Sequence, residues 1–361
     1  MTPLARKRTT AIVVIALFAI GAATAVATGV YLSRLGAPPV VTSLGGERIE
    51  FANYDLGFLV AGNKLFRSRD GGRRWTQMQV PTQRSAFISG FQFFPSGFGW
   101  MNLESGIAET VSYGEEWSLQ PKPLKYPVGV METMFFLSDR VGWAGGGEYV
   151  LDDGRTRKPN FAIDRRADGT YALRPVVLAT TDSGKSWSTA SISGEGAFSI
   201  RKISFADAKS GFAGSVSSIF HSNDSGKTWT AVYRHRSALD GASLQDLFVL
   251  GDNAAWASFN DGIIVKTDDF GKHWRAYGAV IPAGLSESSG PFYPVQMWYW
   301  STAHGLALDN SLSQLCETRD GGRSWSVVLP QSKVRAFAAI DARHIWVLTE
   351  SGVFQLVGLA D

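Results

Sequence analysis

The chain has 361 residues, of which 45% are hydrophobic and 19% are charged, so it is long and apolar enough to bury a sizeable core. Its formal net charge of +3 is spread along the chain, which excludes the concentrated basic surface that nucleic-acid binding requires. The single cysteine, Cys316, excludes an internal disulfide and is expected to be a buried apolar residue rather than a nucleophile.

Residues 1–35 predict a signal peptide or a transmembrane anchor. Arg6, Lys7 and Arg8 precede an uncharged run over residues 11–32. At about 1.5 Å per residue, this run as a helix would cross a bilayer core of roughly 30 Å. The preceding positive charge favours a cytoplasmic N-terminus, and residues 25–27 (AVA) resemble a signal-peptidase site. The protein is therefore expected to be anchored in the inner membrane facing the periplasm, or secreted to the periplasm if the segment is cleaved.

Residues 36–361 form a second region, which is built of repeats. Each repeat is marked by a small residue, usually glycine, followed by a large apolar residue. The seven large residues are Phe58, Trp100, Trp143, Phe212, Trp256, Leu306 and Trp346. The intervals between them are 42, 43, 69, 44, 50 and 40 residues, and a period of about 40 to 50 residues is typical of propeller blades.

A second motif, Ser/Thr-x-Asp-x-Gly-x-x-Trp, follows most marks and is called the box below. Its five intact copies contain Asp70 and Trp75, Asp182 and Trp187, Asp224 and Trp229, Asp269 and Trp274, and Asp320 and Trp325. A degenerate copy ends at Trp117. Within a box, the aspartate can fix a turn, the glycine can adopt a positive φ and the tryptophan can pack between sheets. Because copies spread around a ring cannot all face one substrate, the boxes are predicted to be architectural.

Short apolar runs separated by turn residues predict the fold. In the fourth repeat, four such runs surround Phe205, Phe212, Phe220 and Trp229. Four short strands in each of seven repeats predict an all-β, seven-bladed β-propeller of four-stranded antiparallel blades, preceded by one hydrophobic N-terminal helix. The last repeat supplies about three strands, so a strand near residues 39–45 is expected to complete its blade and lock the chain ends together.

The third repeat carries an insertion at about residues 148–175. Its mark lies 44 residues before its box tryptophan, against 17 to 19 in the other repeats. The inserted sequence suggests a projecting basic β-hairpin, which can contact acidic groups of a partner protein or lipid phosphates. The alternative is a hairpin whose charge serves only solubility. The candidate partner-binding residues are Arg155, Arg157, Lys158, Arg165, Arg166 and Arg174.

The boxes resemble the Asp-box, or BNR, repeats of sialidases and other propellers. Together with the marks, as in VGWAGGGEYVL and SGFAGSVSSIFHSNDSGKTW, the pattern resembles the family of photosystem II stability and assembly factors, whose relatives also occur in non-photosynthetic bacteria. This resemblance covers residues 47–361. It implies an exported, non-enzymatic seven-bladed propeller that binds other proteins during assembly at a membrane.

The residues that an enzyme would need are not brought together by the sequence. A sialidase would carry an Arg-Ile-Pro motif, and the nearest string here is Glu47-Arg48-Ile49-Glu50. Other glycosidases need two carboxylates about 5–10 Å apart, and Glu104, Glu132 and Glu287 are candidates with no spacing that pairs them. The five histidines show no metal-ligand spacing, so no metal and no cofactor are predicted.

The sequence therefore predicts a monomeric, exported propeller without enzymatic activity, which acts as a scaffold or assembly factor by binding a membrane or exported protein. No catalytic residue is predicted. The alternative hypothesis is a glycan-binding or glycoside-hydrolysing propeller of the sialidase type, because the mouth of a propeller often holds a ligand.

Overall fold

The computed structural model describes residues 48–81, 88–103, 106–124, 129–149, 173–193, 199–236, 242–251, 253–278, 280–286, 291–309, 312–330 and 332–356. These residues form 28 β-strands in seven sheets, which are the seven blades of a propeller. The predicted all-β fold is confirmed. The predicted N-terminal helix lies outside the described residues, and within them no helix could span a membrane.

The strands of each blade follow one another along the chain. Blade 1 contains β1 (Arg48–Phe51), β2 (Gly57–Ala61), β3 (Lys64–Ser68) and β4 (Thr76–Met78). Blade 2 contains β5 (Gly90–Phe93), β6 (Gly99–Asn102), β7 (Ile107–Thr110) and β8 (Ser118–Gln120). Blade 3 contains β9 (Gly129–Phe136), β10 (Gly142–Tyr149), β11 (Leu173–Thr180) and β12 (Ser188–Thr189).

The remaining blades keep this order, with one added strand. Blade 4 contains β13 (Ser191–Ser193), β14 (Ile200–Phe205), β15 (Gly211–Ser215), β16 (Ser218–Ser222) and β17 (Thr228–Arg234). Blade 5 contains β18 (Leu244–Leu250), β19 (Ala254–Phe259), β20 (Ile264–Thr267) and β21 (Arg275–Tyr277). Blade 6 contains β22 (Pro294–Tyr299), β23 (Gly305–Asp309), β24 (Gln314–Thr318) and β25 (Ser326–Val327), and blade 7 contains β26 (Val334–Asp341), β27 (His344–Thr349) and β28 (Gly352–Leu356).

The antiparallel order assigns the connections to two faces. Leaving aside the added strand β13, the first of the four regular strands of each blade (β14 in blade 4) is its inner strand, since these strands contact each other around a central channel. Turns between first and second strands lie on the same face as turns between third and fourth strands, which contain the boxes. We call this the box face. The opposite face carries the connections between second and third strands, including the insertion, and we call it the insertion face.

The small residue of each mark is explained by its partner on the inner strand. Five inner strands place an aromatic residue opposite the mark glycine: Phe51 opposite Gly57, Phe93 opposite Gly99, Phe136 opposite Gly142, Phe205 opposite Gly211 and Tyr299 opposite Gly305. A Cβ on any of these glycines would come within 2.6 Å of the facing ring. In the two exceptions the facing residue is small, with Val249 opposite Ala255 and Ala339 opposite Ile345.

These inner-strand rings bind neighbouring blades together. The Phe205 ring is stacked 3.5 Å from Trp143, the mark of the preceding blade, and meets the box ring of Trp229 edge-on at 5.6 Å. The same arrangement joins Tyr299 to Trp256 and Trp325. Such ring pairs contribute about 0.5–1.5 kcal/mol each beyond the burial of their area.

Three mark tryptophans also form a hydrogen bond to the next blade. Trp143 Nε1 donates to Ser225 O at 3.0 Å, Trp256 Nε1 to Gly321 O at 3.0 Å and Trp346 Nε1 to Gly71 O at 2.9 Å. Each acceptor directly follows the aspartate position of a box. Trp100 differs, because its ring is tilted by 44° against Phe136 and its buried N–H has no acceptor among the described residues. The box thus forms a turn and also provides the backbone carbonyl that accepts the indole N–H of the preceding blade.

Blades 7 and 1 meet through the same contacts. Phe51 is stacked 3.7 Å from Trp346, and the Tyr54 hydroxyl donates to Asp341 Oδ2 at 3.1 Å. The described part of blade 7 has three strands, as its repeat predicts. The strand expected near residues 39–45 lies outside the described residues and stays a prediction.

The structure also contains a strand that the repeat did not predict. β13, from the connection between blades 3 and 4, pairs in parallel with β17 and gives blade 4 a five-stranded sheet. Ala283 makes a similar parallel bridge to Ser326 at the outer edge of blade 6. These segments cover outer edges that would otherwise expose unpaired backbone groups.

Candidate functional site

The boxes are turns whose polar groups are satisfied within each motif. In blade 4, Ser222 Oγ donates to Asp224 Oδ1 and accepts the N–H of Gly226. Asp224 also accepts the backbone N–H and the hydroxyl of Thr228, at 2.9 and 2.7 Å. Trp229 Nε1 donates to Gly226 O. The aspartates of the other intact boxes accept equivalent bonds, so the geometry agrees with an architectural role.

These hydrogen bonds hold the box carboxylates in their charged form. Hydrogen bonds from the side chain and backbone of Ser186 lower the pKa of Asp182 from 3.8 to about 2. Those from the backbone and side chain of His273 lower the pKa of Asp269 to about 2. Because the unfolded-state pKa is higher, this stabilisation is present above pH 4 and is lost as the pH falls toward 2.

Replacement of Asp224 by alanine is expected to lower the free energy of unfolding by roughly 1–2 kcal/mol, because three accepted hydrogen bonds are lost. Urea unfolding followed by tryptophan fluorescence measures this change. Asp139→Ala, at an exposed turn of the same face, is the matched control and should change stability little. Equal stability of the two variants would contradict the structural role of the box.

The insertion rises from the second and third strands of blade 3. β10 and β11 pair from Gly142 with Thr180 up to Tyr149 with Leu173, so the strands lead toward the insertion face. At this base, Arg174 Nη2 lies 2.6 Å from Glu148 Oε2. The other five candidate residues, Arg155, Arg157, Lys158, Arg165 and Arg166, lie outside the described residues.

Basic side chains also stand near the insertion-face ends of the inner strands. Arg201 pairs with Glu132 at 3.5 Å, Lys202 with Asp246 at 2.9 Å and Arg335 with Glu350 at 3.6 Å. Arg48, at the start of β1, makes no ion pair with a described residue. Sequence reasoning missed this group, because its members come from three blades and share a face only in the folded ring.

The carboxylates and the thiol considered for catalysis from the sequence lie at separate places in the fold or outside the described residues. Glu132 is the partner of Arg201, while Glu104 and Glu287 are not described. Burial raises the pKa of the Cys316 thiol to about 12, which keeps it protonated. Among the described residues, no group of three or more His, Cys, Asp or Glu side chains could hold a metal ion.

The histidines instead complete local contacts. His235 is buried, with Nε2 2.8 Å from Asp261 Oδ2 and its ring stacked 3.9 Å from Phe259. His273 and His344 each lie against an aspartate of their own turn, and His304 contacts Ser301. His221 Nε2 lies 3.2 Å from Ser210 Oγ on the box face.

Comparison with known proteins identifies related propellers. The family model described as "Photosynthesis system II assembly factor YCF48" matches residues 159–284, about a third of the chain. No curated protein sequence matches the chain. The solved structure "YCF48 bound to D1 peptide" is 18% identical, with a TM-score of 0.60, and the match covers 90% of this chain and 96% of that one.

Two further solved structures show how widely the fold is shared. YCF48 from Cyanidioschyzon merolae is 14% identical, with a TM-score of 0.61 and coverage of 88% of this chain and 97% of that one. The GH74 xyloglucanase from Xanthomonas campestris is 14% identical, with a TM-score of 0.58, and this chain covers 53% of it. The protein is therefore a seven-bladed propeller with BNR repeats that is similar to YCF48, and the predicted resemblance is confirmed.

Proposed function

We propose that this protein is an exported, non-enzymatic propeller that binds a segment of another protein at a membrane and acts as a scaffold or assembly factor. The observation that carries the proposal is the combined similarity to YCF48, by family model over residues 159–284 and by fold over nearly the whole chain. One of those YCF48 structures was solved with a bound D1 peptide.

The insertion face is the side on which we expect the partner to bind. The insertion interrupts an otherwise regular repeat and contains five basic residues besides Arg174. On the same face, Arg48 lacks an ion pair with any described residue, and Arg201, Lys202 and Arg335 lie near the ends of their inner strands. Guanidinium groups form bidentate hydrogen bonds with carboxylates, so the chemistry favours an acidic segment of the partner.

Action at a membrane rests on residues 1–35. Their basic start and uncharged run support either an anchor or a cleaved signal, and both would bring the propeller outside the cytoplasm. In either case the protein would meet membrane or exported partners.

Crosslinking and affinity capture of the tagged full-length protein from its host membranes test the proposal. One variant replaces residues 153–170 by a two-residue turn and keeps β11, which begins at Leu173. A second variant changes Arg155, Arg157, Lys158, Arg165 and Arg166 to glutamine. The matched control changes five cations of the box face to glutamine, namely Arg73, Arg140, Lys185, Lys227 and Arg323.

The expected result is one membrane or exported protein that is captured by the wild type and by the box-face control. Both insertion variants should lose it while keeping the melting temperature of the wild type. Equal capture by all four proteins would show that the partner binds outside the insertion. If none of them captures a protein and a polysaccharide binds instead, the glycan-binding hypothesis replaces the proposal.

A further inference from the structure

A cleft of about 520 Å³ opens on the box face between blades 4 and 5. Lys209 and Ser210 from the first turn of blade 4 form one side, with His221 and Asn223 beside its box. Phe270 and Lys272 from the box of blade 5 form the other side. All of its lining residues are described, and they lie on the face opposite the insertion. The volume falls within the range of about 300–1,000 Å³ that is usual for small-molecule sites.

Phe270 has an unusual conformation for an aromatic residue. Its φ is 62°, and the residue is 38% exposed. The same position in the other boxes is occupied by Gly71, Tyr113, Ser183, Ser225 and Gly321. Tyr113 is held by a hydrogen bond from its hydroxyl to Pro95 O. The Phe270 ring lies at the edge of the cleft, with its centroid 6.2 Å from that of the His221 ring. The positive φ is common to this position in all six boxes and belongs to the turn. What is particular to Phe270 is an exposed aromatic ring at the edge of a cleft, which offers a ligand an apolar face.

The polar groups of the cleft are available to an anionic ligand. The ammonium group of Lys272 and the amide of Asn223 have no partner among the described residues, whereas the charge of Lys209 acts on the Asp207 carboxylate. Burial lowers the pKa of His221, so its imidazole is neutral and can donate or accept a hydrogen bond. The one carboxylate, Asp207, accepts the N–H groups of Lys209 and Ser210 and thereby holds the turn.

We infer that this cleft binds a carboxylate carried on a six-membered ring. The ring lies against the face of Phe270, and the carboxylate pairs with Lys272, while Lys209 adds positive charge that offsets Asp207. Asn223 and His221 supply hydrogen bonds to substituents of the ring. Both an acidic sugar and an aromatic acid have this chemistry, since the C–H face of a sugar and an aromatic ring each pack on an aromatic side chain. The inference does not depend on the proposed partner binding at the insertion face.

Ligand-detected NMR with the full propeller tests the inference, using galacturonate and benzoate as acidic probes and galactose and benzyl alcohol as neutral counterparts. At probe concentrations up to about 10 mM, a Kd near 1 mM is measurable. We expect at least one acid to bind about tenfold more tightly than its neutral counterpart. Binding of galacturonate alone would identify a sugar acid, and binding of benzoate alone an aromatic acid.

Phe270→Gly is the decisive variant. It removes the ring and also relieves the positive φ. It should therefore raise the melting temperature while lowering the affinity for the acidic probe at least about tenfold. Lys272→Gln should lower the affinity for the acidic probe without changing the affinity for its neutral counterpart. Ser225→Gly, the same backbone change in the box of blade 4, is the control and should leave binding unchanged. Failure of both acids to bind, equal binding of acids and neutral probes, or unaltered binding by Phe270→Gly would each overturn the inference.

Discussion

Replacement of Gly211 by alanine is expected to lower the free energy of unfolding by about 3 kcal/mol. The added Cβ would lie 2.5 Å from Cδ1 of Phe205, closer than any real contact. The Phe205 ring cannot retreat, because Trp143 stacks on one face at 3.5 Å and Trp229 meets it edge-on. Urea unfolding measures the change, and Gly278→Ala is the matched control, since nothing lies within 4 Å of its added Cβ.

A double variant tests the cause of this loss. Phe205→Val with Gly211→Ala reproduces the natural pair of blade 5, where Val249 faces Ala255. Phe205→Val alone should cost about 2–4 kcal/mol through lost burial. The double variant should be no less stable than Phe205→Val alone, because the alanine then meets no ring. Additive losses, or a Gly211→Ala variant as stable as the Gly278→Ala control, would show that the facing ring is not what selects glycine.

The same pair explains what the sequence could and could not predict. The marks and boxes repeat along the chain, so the number of blades, the turns and the insertion follow from spacing alone. The mark glycine Gly211 is required by the ring of Phe205, which lies six residues earlier on the facing strand. That ring is in turn held in place by Trp143 of the neighbouring blade. Pairing of this kind depends on register and ring closure, which a periodic pattern does not contain.

Of the two proposed binding sites, one could be predicted from the sequence and the other could not. The insertion was visible because it lengthened one interval, but the cleft beside Phe270 was not, because that residue occupies a variable position of an ordinary box. Its φ is positive like that of Ser225, and what distinguishes it is an exposed aromatic ring at the edge of a cleft. Likewise, the parallel strand β13 is a short polar segment between two repeats and becomes a strand only through contact with β17.

Glu50 is a second residue whose environment the sequence did not reveal. It lies on β1 beside the channel, and its Oε1 accepts the N–H of Phe93 in the next inner strand at 3.4 Å. Gln92 occupies the equivalent position in blade 2, where it both donates to Phe136 O and accepts from Phe136 N. A protonated Glu50 resembles this glutamine, since it can accept one bond and donate another. Burial raises its pKa to about 8, against a smaller opposite effect of the bond from Phe93.

We therefore expect Glu50→Gln to stabilise the protein at alkaline pH. The folded-state pKa of about 8 exceeds the unfolded value of 4.5, so the wild type loses stability as the pH rises between these values. Glutamine carries no charge and avoids this loss. At about pH 8.5 the variant should exceed the wild type by roughly 2–4 kcal/mol, a discounted figure at about 1.4 kcal/mol per pKa unit. Near pH 4.5 the two should be nearly equal.

Urea unfolding at several pH values measures the difference between the two proteins. All other titrating groups are shared, so the difference isolates Glu50 and its surroundings, including Arg48 on the same strand. Glu132→Gln is the control, because that carboxylate pairs with Arg201 and its loss should give no alkaline gain. Parallel stability curves for Glu50→Gln and the wild type would mean that Glu50 is charged in the folded protein. Blades 1 and 2 would then be joined by a carboxylate rather than by a side chain that behaves like the glutamine of blade 2.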